Sequence, residues 1–177
     1  MDTALTARAK ALIREVPNFP KKGVSFKDIS PLLESPVFGE VIEALAEKAE
    51  KIRASVGLTA IAGLESRGFI IGVTLAQKLN LPFVMIRKPG KLPPPVVKRA
   101  IVTEYSTDTL EMKMGKGDLL IADDVIALGG TLVAAVGLAK EAGYTVRGLI
   151  TMIDLKYLPR LSETIDGLTV DSLIVYE

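Results

Sequence analysis

Apolar residues in this chain fall into short continuous runs, and several of these runs are followed by stretches with the spacing of amphipathic helices. Runs without polar alternation are typical of strands that helices cover on both faces. Four such runs lie at residues 59–64, 82–88, 118–122 and 145–155, and a further predicted strand lies at residues 168–176. Helical patterns lie at residues 69–80 and 130–142. This order predicts an α/β fold with a central, mainly parallel sheet flanked by helices.

The amino-terminal part of the chain is patterned differently. Residues 3–16 have roughly helical spacing and predict a helix that Pro17 ends. Residues 21–33 show no helical period. A second helix is predicted from Ser35, which can cap it, with Pro36 at the first helical position.

A long excursion separates the second and third apolar runs. It begins with PGKLPPPVVKRA, which is rich in proline and basic residues, and continues with a strand–turn–strand pattern that turns around residues 106–108. Connections of this length in a compact domain are usually lids or binding loops. Residues 89–117 are therefore predicted to form a lid or hairpin excursion.

Composition and charge narrow the possible chemistry. The length of 177 residues fits one domain, and 22 Lys and Arg balance 21 Asp and Glu. A nucleic-acid or membrane-surface binder usually shows a basic excess, so neither partner is expected. The absence of cysteine and histidine excludes disulfides, thiolate catalysis, imidazole bases and metal sites built on those residues. Without a membrane-length apolar run or a secretory signal, we expect a cytoplasmic protein.

The segment LLIADDVIALGGT, residues 119–131, carries the most information about function. A short apolar strand leads into Asp123 and Asp124, and a turn then opens a helix through Gly129 and Gly130. Parallel sheets bind ligands at the carboxyl ends of their strands, and a helix N-terminus offers unpaired N–H groups to a phosphate. Carboxylates would repel the phosphate itself, so they would accept hydrogen bonds from sugar hydroxyls or lie near a bound cation.

This segment resembles the phosphoribosyl-pyrophosphate signature of type I phosphoribosyltransferases. Other segments resemble the members of that family that act on adenine, namely FPKKGVSFKDISPLL, GLESRGFIIG, RKPGKLP, TEYSTDTLEM and the closing LIVYE. The resemblance covers nearly the whole chain in the family's order. It implies the type I phosphoribosyltransferase fold as a single domain of residues 1–177, with an N-terminal hood segment at 1–34 and the lid at 89–117.

The resemblance also implies an activity and a donor site. The reaction would join adenine to the ribose 5-phosphate of phosphoribosyl pyrophosphate, giving AMP and pyrophosphate in purine salvage. Asp123 and Asp124 would hold the ribose hydroxyls. The 5-phosphate would be bound by the loop of Ala127, Leu128, Gly129, Gly130 and Thr131. The pyrophosphate would be bound by Arg67, on a loop with a non-proline cis peptide, and by Arg87, Lys88 and Lys91.

By the same resemblance, the base and its proton would be handled elsewhere. Adenine would be bound by Ser25, Phe26, Lys27 and Leu155, because an aromatic ring and an aliphatic side chain suit a flat purine. Glu104 would be the catalytic residue that takes the purine's ring proton, and Tyr105 would pack over the site as part of the lid. Mg²⁺ would be held mainly by the donor and water, without a direct protein ligand. A homodimer is expected.

Three departures from the family pattern keep alternatives open. Leu128 replaces a threonine of the phosphate loop, Pro94 and Pro95 stand where glycine is usual, and residues 112–118 are fewer than usual. Leu128 supports a second hypothesis, a low-activity or non-catalytic homologue that binds the donor or a nucleotide as a sensor. A transferase for another purine base is the third hypothesis.

Overall fold

Parallel strands at the centre and helices around them account for most of the chain. The structure, a computed structural model, describes residues 3–102 and 107–177. Its helices are α1 (Thr3–Ala11), α2 (Ser30–Leu33), α3 (Val37–Val56), α4 (Arg67–Leu79) and α5 (Gly130–Glu141). Its strands are β1 (Arg14–Pro17), β2 (Ser25–Asp28), β3 (Ala60–Leu64), β4 (Phe83–Ile86), β5 (Val97–Val102), β6 (Thr107–Met112), β7 (Gly117–Ile126), β8 (Tyr144–Leu155) and β9 (Val170–Tyr176). None of the described helices is both long and apolar enough to span a membrane.

The chain divides into two units, Met1–Ala44 and Leu45–Glu177, and the second contains the main sheet. The strand order of this sheet is β4-β3-β7-β8-β9, and every neighbouring pair is parallel. All five residues of β3 and the last eight of β8 are buried, as continuous apolar runs require. The predicted α/β fold and its five sheet strands are confirmed.

Helix α4 packs closely on the sheet because two glycines leave room for an aromatic ring. A Cβ on Gly72 would lie 2.7 Å from the ring of Phe83 in β4, and one on Gly63 in β3 would lie 2.9 Å from the same ring. The ring of Phe83 also meets Phe69 edge to face, with 5.8 Å between the ring centroids. This packing fixes the start of α4 beside the carboxyl end of β3.

The long excursion contains an antiparallel hairpin of β5 and β6. Its residues Ile101, Leu110 and Met112 are buried in the same core as β3, β7 and α5. Arg99 of β5 lies against α5, where Gly137 leaves room for its guanidinium. The two strands are thus anchored in the core. Closure of residues 89–117 as a lid stays a prediction.

Residues 1–44 contain a small hairpin that the sequence patterns did not reveal. The predicted helix over residues 3–16 is wrong beyond Ala11, because Arg14–Pro17 forms β1 and pairs antiparallel with β2. The apolar residues that suggested one helix lie in α1, in the turn after it and in β1. The predicted cap of the next long helix is confirmed, since the Ser35 hydroxyl oxygen accepts the N–H of Val37 at 3.2 Å.

Candidate active site

Two adjacent carboxylates lie near the carboxyl end of β7. The strand continues to Ile126, so Asp123 and Asp124 are part of it rather than just beyond it. Asp124 is only 4% exposed, and Nε of Arg67 lies 2.9 Å from its Oδ2. The two groups form an ion pair, and Oδ2 of Asp124 has no hydrogen-bond partner within the described part of the chain. Oδ1 of Asp123 accepts the backbone N–H of Asp124 at 2.9 Å.

Burial raises the pKa of both carboxyls above their ordinary value of 3.8. For Asp123 the neighbouring charge of Asp124 raises the pKa further, whereas for Asp124 the Arg67 guanidinium opposes the effect of burial. Keeping this pair ionised therefore costs free energy in the folded protein. A ligand that donates hydrogen bonds, such as a sugar with two neighbouring hydroxyls, would offset that cost.

Gly68 brings the first turn of α4 directly onto the acidic pair. A Cβ at this position would lie 2.7 Å from Oδ1 of Asp123 and 3.0 Å from the carbonyl oxygen of Ala122, so no larger residue fits without movement. The close approach places the positive end of the α4 dipole beside the carboxylates. It also explains how Arg67, one residue earlier, reaches Asp124.

The loop after β7 leads into α5 through a glycine in a left-handed conformation. Gly129 has φ +90° and precedes the first helical residue, Gly130. The first N–H groups of a helix have no intrahelical acceptor, so this turn presents donors suited to a phosphate. Leu128 is 47% exposed, and the half-buried Ala127 and the exposed Thr131 complete the loop. The five residues predicted to bind the 5-phosphate thus lie in the turn before α5 and in the first residues of that helix.

The segment that follows β8 braces this loop. The backbone N–H of Leu161 donates to the carbonyl oxygen of Leu128 at 3.1 Å. Arg160, one residue earlier, forms an ion pair with Asp154 of β8, and the two side chains are only 12% and 4% exposed. Asp154 pairs in register with Ile126 of β7. The buried Leu155 therefore lies at the same edge of the sheet as the phosphate loop.

Two of the remaining predicted residues, Arg87 and Lys88, donate hydrogen bonds to one carboxylate, Glu65. Glu65 immediately precedes Ser66, and the peptide between them is cis, as the resemblance implies for the loop of Arg67. Nε and Nη2 of Arg87 donate to the Glu65 carboxylate at 3.1 and 3.3 Å, and the backbone N–H of Lys88 donates to it at 3.0 Å. The Arg87 guanidinium lowers the pKa of Glu65, with the Lys88 N–H adding to the effect.

A second carboxylate, Glu111 of β6, holds the other half of the same loop. Its Oε1 accepts the backbone N–H groups of Lys91 and Leu92, each at 2.8 Å. The side chains of Lys88 and Lys91 are exposed. The structure thus brings Arg67, Arg87, Lys88 and Lys91 into two connected loops, with the Arg87 side chain already bonded to Glu65 and to the Lys91 carbonyl oxygen.

The residues predicted to bind the base are divided between the two units. In residues 1–44, the half-buried Phe26 meets Phe19 edge to face with ring centroids 5.1 Å apart. Lys27 is 8% exposed, and its Nζ lies 3.0 Å from Oε2 of Glu15, whose Oε1 accepts the hydroxyl of Ser25. Leu155 belongs to the other unit. Their joint contact with adenine stays a prediction.

The predicted catalytic residue Glu104 and its neighbour Tyr105 lie outside the described residues. Three residues of the candidate site were missed by the sequence patterns: Glu65, Gly68 and Glu111. The letters ESRG contain the first two, but neither spacing nor residue type indicates that they contact Arg87 and Asp123. Glu111 gave no signal, because its partners lie about twenty positions earlier in the chain.

Comparisons with known proteins give similar proteins over most of the chain. Residues 30–163 match the family model described as the phosphoribosyl transferase domain. An adenine phosphoribosyltransferase of Bdellovibrio bacteriovorus is 42% identical over 170 residues, which cover 94% of this chain and 98% of the relative.

Solved structures of adenine phosphoribosyltransferases are also similar to this chain over nearly its whole length. The crystal structure of an adenine phosphoribosyltransferase from Rhodothermus marinus superposes with a TM-score of 0.83 at 37% identity, covering 99% of this chain and 100% of that one. The Saccharomyces cerevisiae enzyme, solved in complex with an imino-altritol bisphosphate and adenine, gives a TM-score of 0.81 at 30% identity, covering 97% and 98%.

Proposed function

The chain belongs to the phosphoribosyltransferase family, in which the relatives it matches are adenine phosphoribosyltransferases, and from this premise we propose that it makes AMP from adenine and phosphoribosyl pyrophosphate. One observation carries the proposal. An acidic pair lies near the end of β7 and a phosphate-type helix start follows that strand, at the edge of the sheet where Arg67 also lies. A sugar that carries a diol and a 5-phosphate presents both functions on one molecule, so one ligand could use both features.

In the proposed reaction, the bond between C1′ of the ribose and the pyrophosphate oxygen breaks, and its electron pair leaves with pyrophosphate. N9 of adenine forms the new bond to C1′ and loses its proton, for which Glu104 is the proposed acceptor. The carboxylates of Asp123 and Asp124 would hold the ribose hydroxyls. The loop of residues 127–131 would hold the 5-phosphate. Such a site works mainly by positioning and by stabilising the charge on the leaving group.

Four cations are proposed to face the pyrophosphate: Arg67, Arg87, Lys88 and Lys91. The contacts around them support this assignment, because Asp124 pairs with Arg67 and the carboxylates of Glu65 and Glu111 bind the loop that carries the other three residues. We propose that Mg²⁺ enters the site bound to the donor, where it would neutralise charge on the pyrophosphate. The described residues contain no group of three or more carboxylates that could enclose an ion, and a metal carried by phosphates and water fits this donor set.

The base specificity and the oligomeric state are further parts of the proposal. Ser25, Phe26, Lys27 and Leu155 are proposed to bind adenine, and Tyr105 to cover the site. A homodimer is supported by exposed apolar side chains on α4 and on the sheet's edge strand β4, Ile70, Val73 and Met85. We also propose a cytoplasmic location, where the phosphorylated substrates of such an enzyme are made.

The test is an assay of nucleotide formation with donor, Mg²⁺ and a panel of adenine, hypoxanthine and guanine. We expect AMP from adenine, and a loss of at least about tenfold in kcat/KM for Asp124→Asn, because that variant removes a charged acceptor. Asp118→Asn is the matched control, since Asp118 lies on the same strand but pairs with Arg147 at the surface. Turnover with only another base would reject the proposed specificity.

The exposed Leu128 favours one second candidate, a homologue that binds the donor without efficient turnover. An isobutyl group stands where the family has a hydroxyl donor, beside the proposed phosphate position. Donor binding measured by calorimetry, combined with no AMP formation, would support this candidate over the enzyme.

A further inference from the structure

Glu111 is a buried carboxylate in a strand that otherwise contributes apolar side chains to the core. It is 1% exposed and lies between Leu110 and Met112, which are 4% and 0% exposed. Burial of a charge is costly unless hydrogen bonds compensate it, so the partners of this carboxylate matter for the stability of the fold. The hydrogen-bond partners that the described residues give it come from one loop, residues 87–92.

The contacts to this loop use both the main chain and the side chain of Glu111. Its backbone N–H donates to the Arg87 carbonyl oxygen at 2.7 Å, and its own carbonyl oxygen accepts the Arg87 N–H at 2.9 Å. Its Oε1 accepts two further N–H groups, those of Lys91 and Leu92. The loop is therefore tied to Glu111 at both of its ends.

The carboxylate remains ionised at neutral pH. Burial raises the pKa of Glu111, but the backbone N–H groups of Gly90, Leu92 and Lys91 outweigh it and bring the pKa below the ordinary value of 4.5. The side chain of Lys98 lies 3.8 Å from Oε2 and is 54% exposed, so this ion pair contributes little. The negative charge is balanced mainly by the amide dipoles of the loop.

The loop that Glu111 binds carries cations on its outer side. Lys88 and Lys91 are exposed, and the Lys91 carbonyl oxygen accepts Nη1 of Arg87 at 3.1 Å. Arg87 in turn binds Glu65, two residues before Arg67. A displacement at position 91 would therefore be transmitted to the loop of Arg67.

We propose that Glu111 is a positioning residue for the pyrophosphate of the donor, holding the loop of residues 87–92 so that Lys88 and Lys91 face the leaving group. This inference rests on the proposed function. Glu111 does not touch the substrate. Its contribution is to fix the backbone from which the two lysines extend, which reduces the ordering that donor binding would otherwise require.

The experiment compares ligands that differ in the pyrophosphate. Glu111→Gln keeps the shape and one acceptor oxygen but removes the charge. We expect a ten- to hundredfold higher KM for phosphoribosyl pyrophosphate and a similar loss of pyrophosphate affinity by calorimetry. The KM for adenine and the Kd for AMP, which has no pyrophosphate, should change less than about twofold.

Two further variants keep the test decisive. Glu111→Asp retains the charge with a shorter reach and should recover part of the lost donor affinity. It also serves as the main variant if Glu111→Gln does not fold. Lys98→Ala is the control, because it removes the weak ion pair and leaves the loop contacts, so its donor KM should equal that of the wild type.

The proposal is overturned if AMP and pyrophosphate binding weaken equally in a folded Glu111 variant, or if neither weakens. Failure of the proposed function would look different. The wild-type protein would then form no AMP, whereas its binding of AMP and pyrophosphate could still be compared with that of the variants.

Discussion

Asp123 and Asp124 stand next to each other in a strand whose preceding residues are apolar, and burial raises the pKa of both carboxyls. A raised pKa means that the folded protein binds these protons more readily than the unfolded chain does. The cost of ionisation is therefore absent below pH 3.8 and is fully present above the pKa of the folded state. At the scale of single residues, the ionised carboxylates that are proposed to bind the ligand therefore lower the stability of the folded protein.

Replacing Asp123 by Asn should raise stability while it lowers donor affinity. The amide oxygen can still accept the N–H of Asp124, and the like-charge repulsion disappears. We expect the unfolding temperature at pH 8 to rise by about 2–4 °C, the effect of 1 kcal/mol in a chain of this size, and the difference to shrink as the pH falls toward 4. Thermal unfolding across this pH range is the measurement. An equal rise in Asp118→Asn would show that the effect is not specific to the pair.

Leu128→Thr should restore a hydroxyl donor to the phosphate loop. One hydrogen bond to a charged group contributes about 1.5–3 kcal/mol, so we expect the Kd of the donor to fall by about tenfold or more. Leu161→Thr is the matched control, because this exposed leucine contacts the loop through its backbone N–H. Calorimetric titration with donor measures both. Unchanged or weaker donor binding by Leu128→Thr would reject the assignment of this position.

At the scale of elements, the hairpin of β5 and β6 is attached to α5 by a charged side chain lying over a glycine. A Cβ on Gly137 would lie 2.5 Å from Cζ of Arg99, whose guanidinium pairs with Glu141 one turn later. Alanine usually stabilises a helix relative to glycine by up to about 1 kcal/mol. At Gly137 this gain in helix stability is opposed, because the added Cβ would displace the Arg99 side chain.

Gly39→Ala and Gly137→Ala make a matched pair that tests this attachment. A Cβ on Gly39 of α3 meets nothing within 4 Å, so that variant should gain about 0.5–1 kcal/mol in urea unfolding. Gly137→Ala should gain nothing or lose stability, and amide exchange in residues 97–102 and 107–112 should become faster. Equal gains from both substitutions would show that the contact with Arg99 is unimportant.

Local sequence was sufficient for the elements whose signals are continuous. The five strands of the sheet and helices α4 and α5 are each encoded within about a dozen neighbouring residues. Elements defined by pairing at a distance were missed. Strand β1 exists because Arg14–Pro17 pairs with Ser25–Asp28, and Glu111 gains its role from loop amides that only the tertiary fold brings to it. Hydrophobic periodicity contains no information about either partner.

At the scale of the whole molecule, three exposed apolar side chains lie on two neighbouring elements, α4 and the edge strand β4. Ile70 and Val73 are both 38% exposed and lie one turn apart on α4, and Met85 on the edge strand is 42% exposed. Val133 on α5 is similarly exposed, at 41%. Clusters of this kind often mark sites of association. The proposed homodimer therefore has a specific candidate surface.

Val73→Glu should convert a dimer into a monomer, because a buried unpaired charge is costly at an interface. Val133→Glu is the matched control and should leave the dimer intact. Light scattering coupled to size-exclusion chromatography at micromolar concentration measures the mass directly. A monomeric wild type, or dissociation caused only by Val133→Glu, would contradict the assigned surface.

The bond from the Leu161 N–H to the Leu128 carbonyl joins two peptide groups and involves neither side chain. Every amino acid except proline at position 161 can make it, and every amino acid at position 128 can. Substitutions at positions 128 and 161 can therefore change the affinity for a ligand without disrupting the turn. A change from threonine to leucine at position 128 would therefore leave the turn intact, because the hydrogen bond that holds the turn does not depend on the side chain at this position.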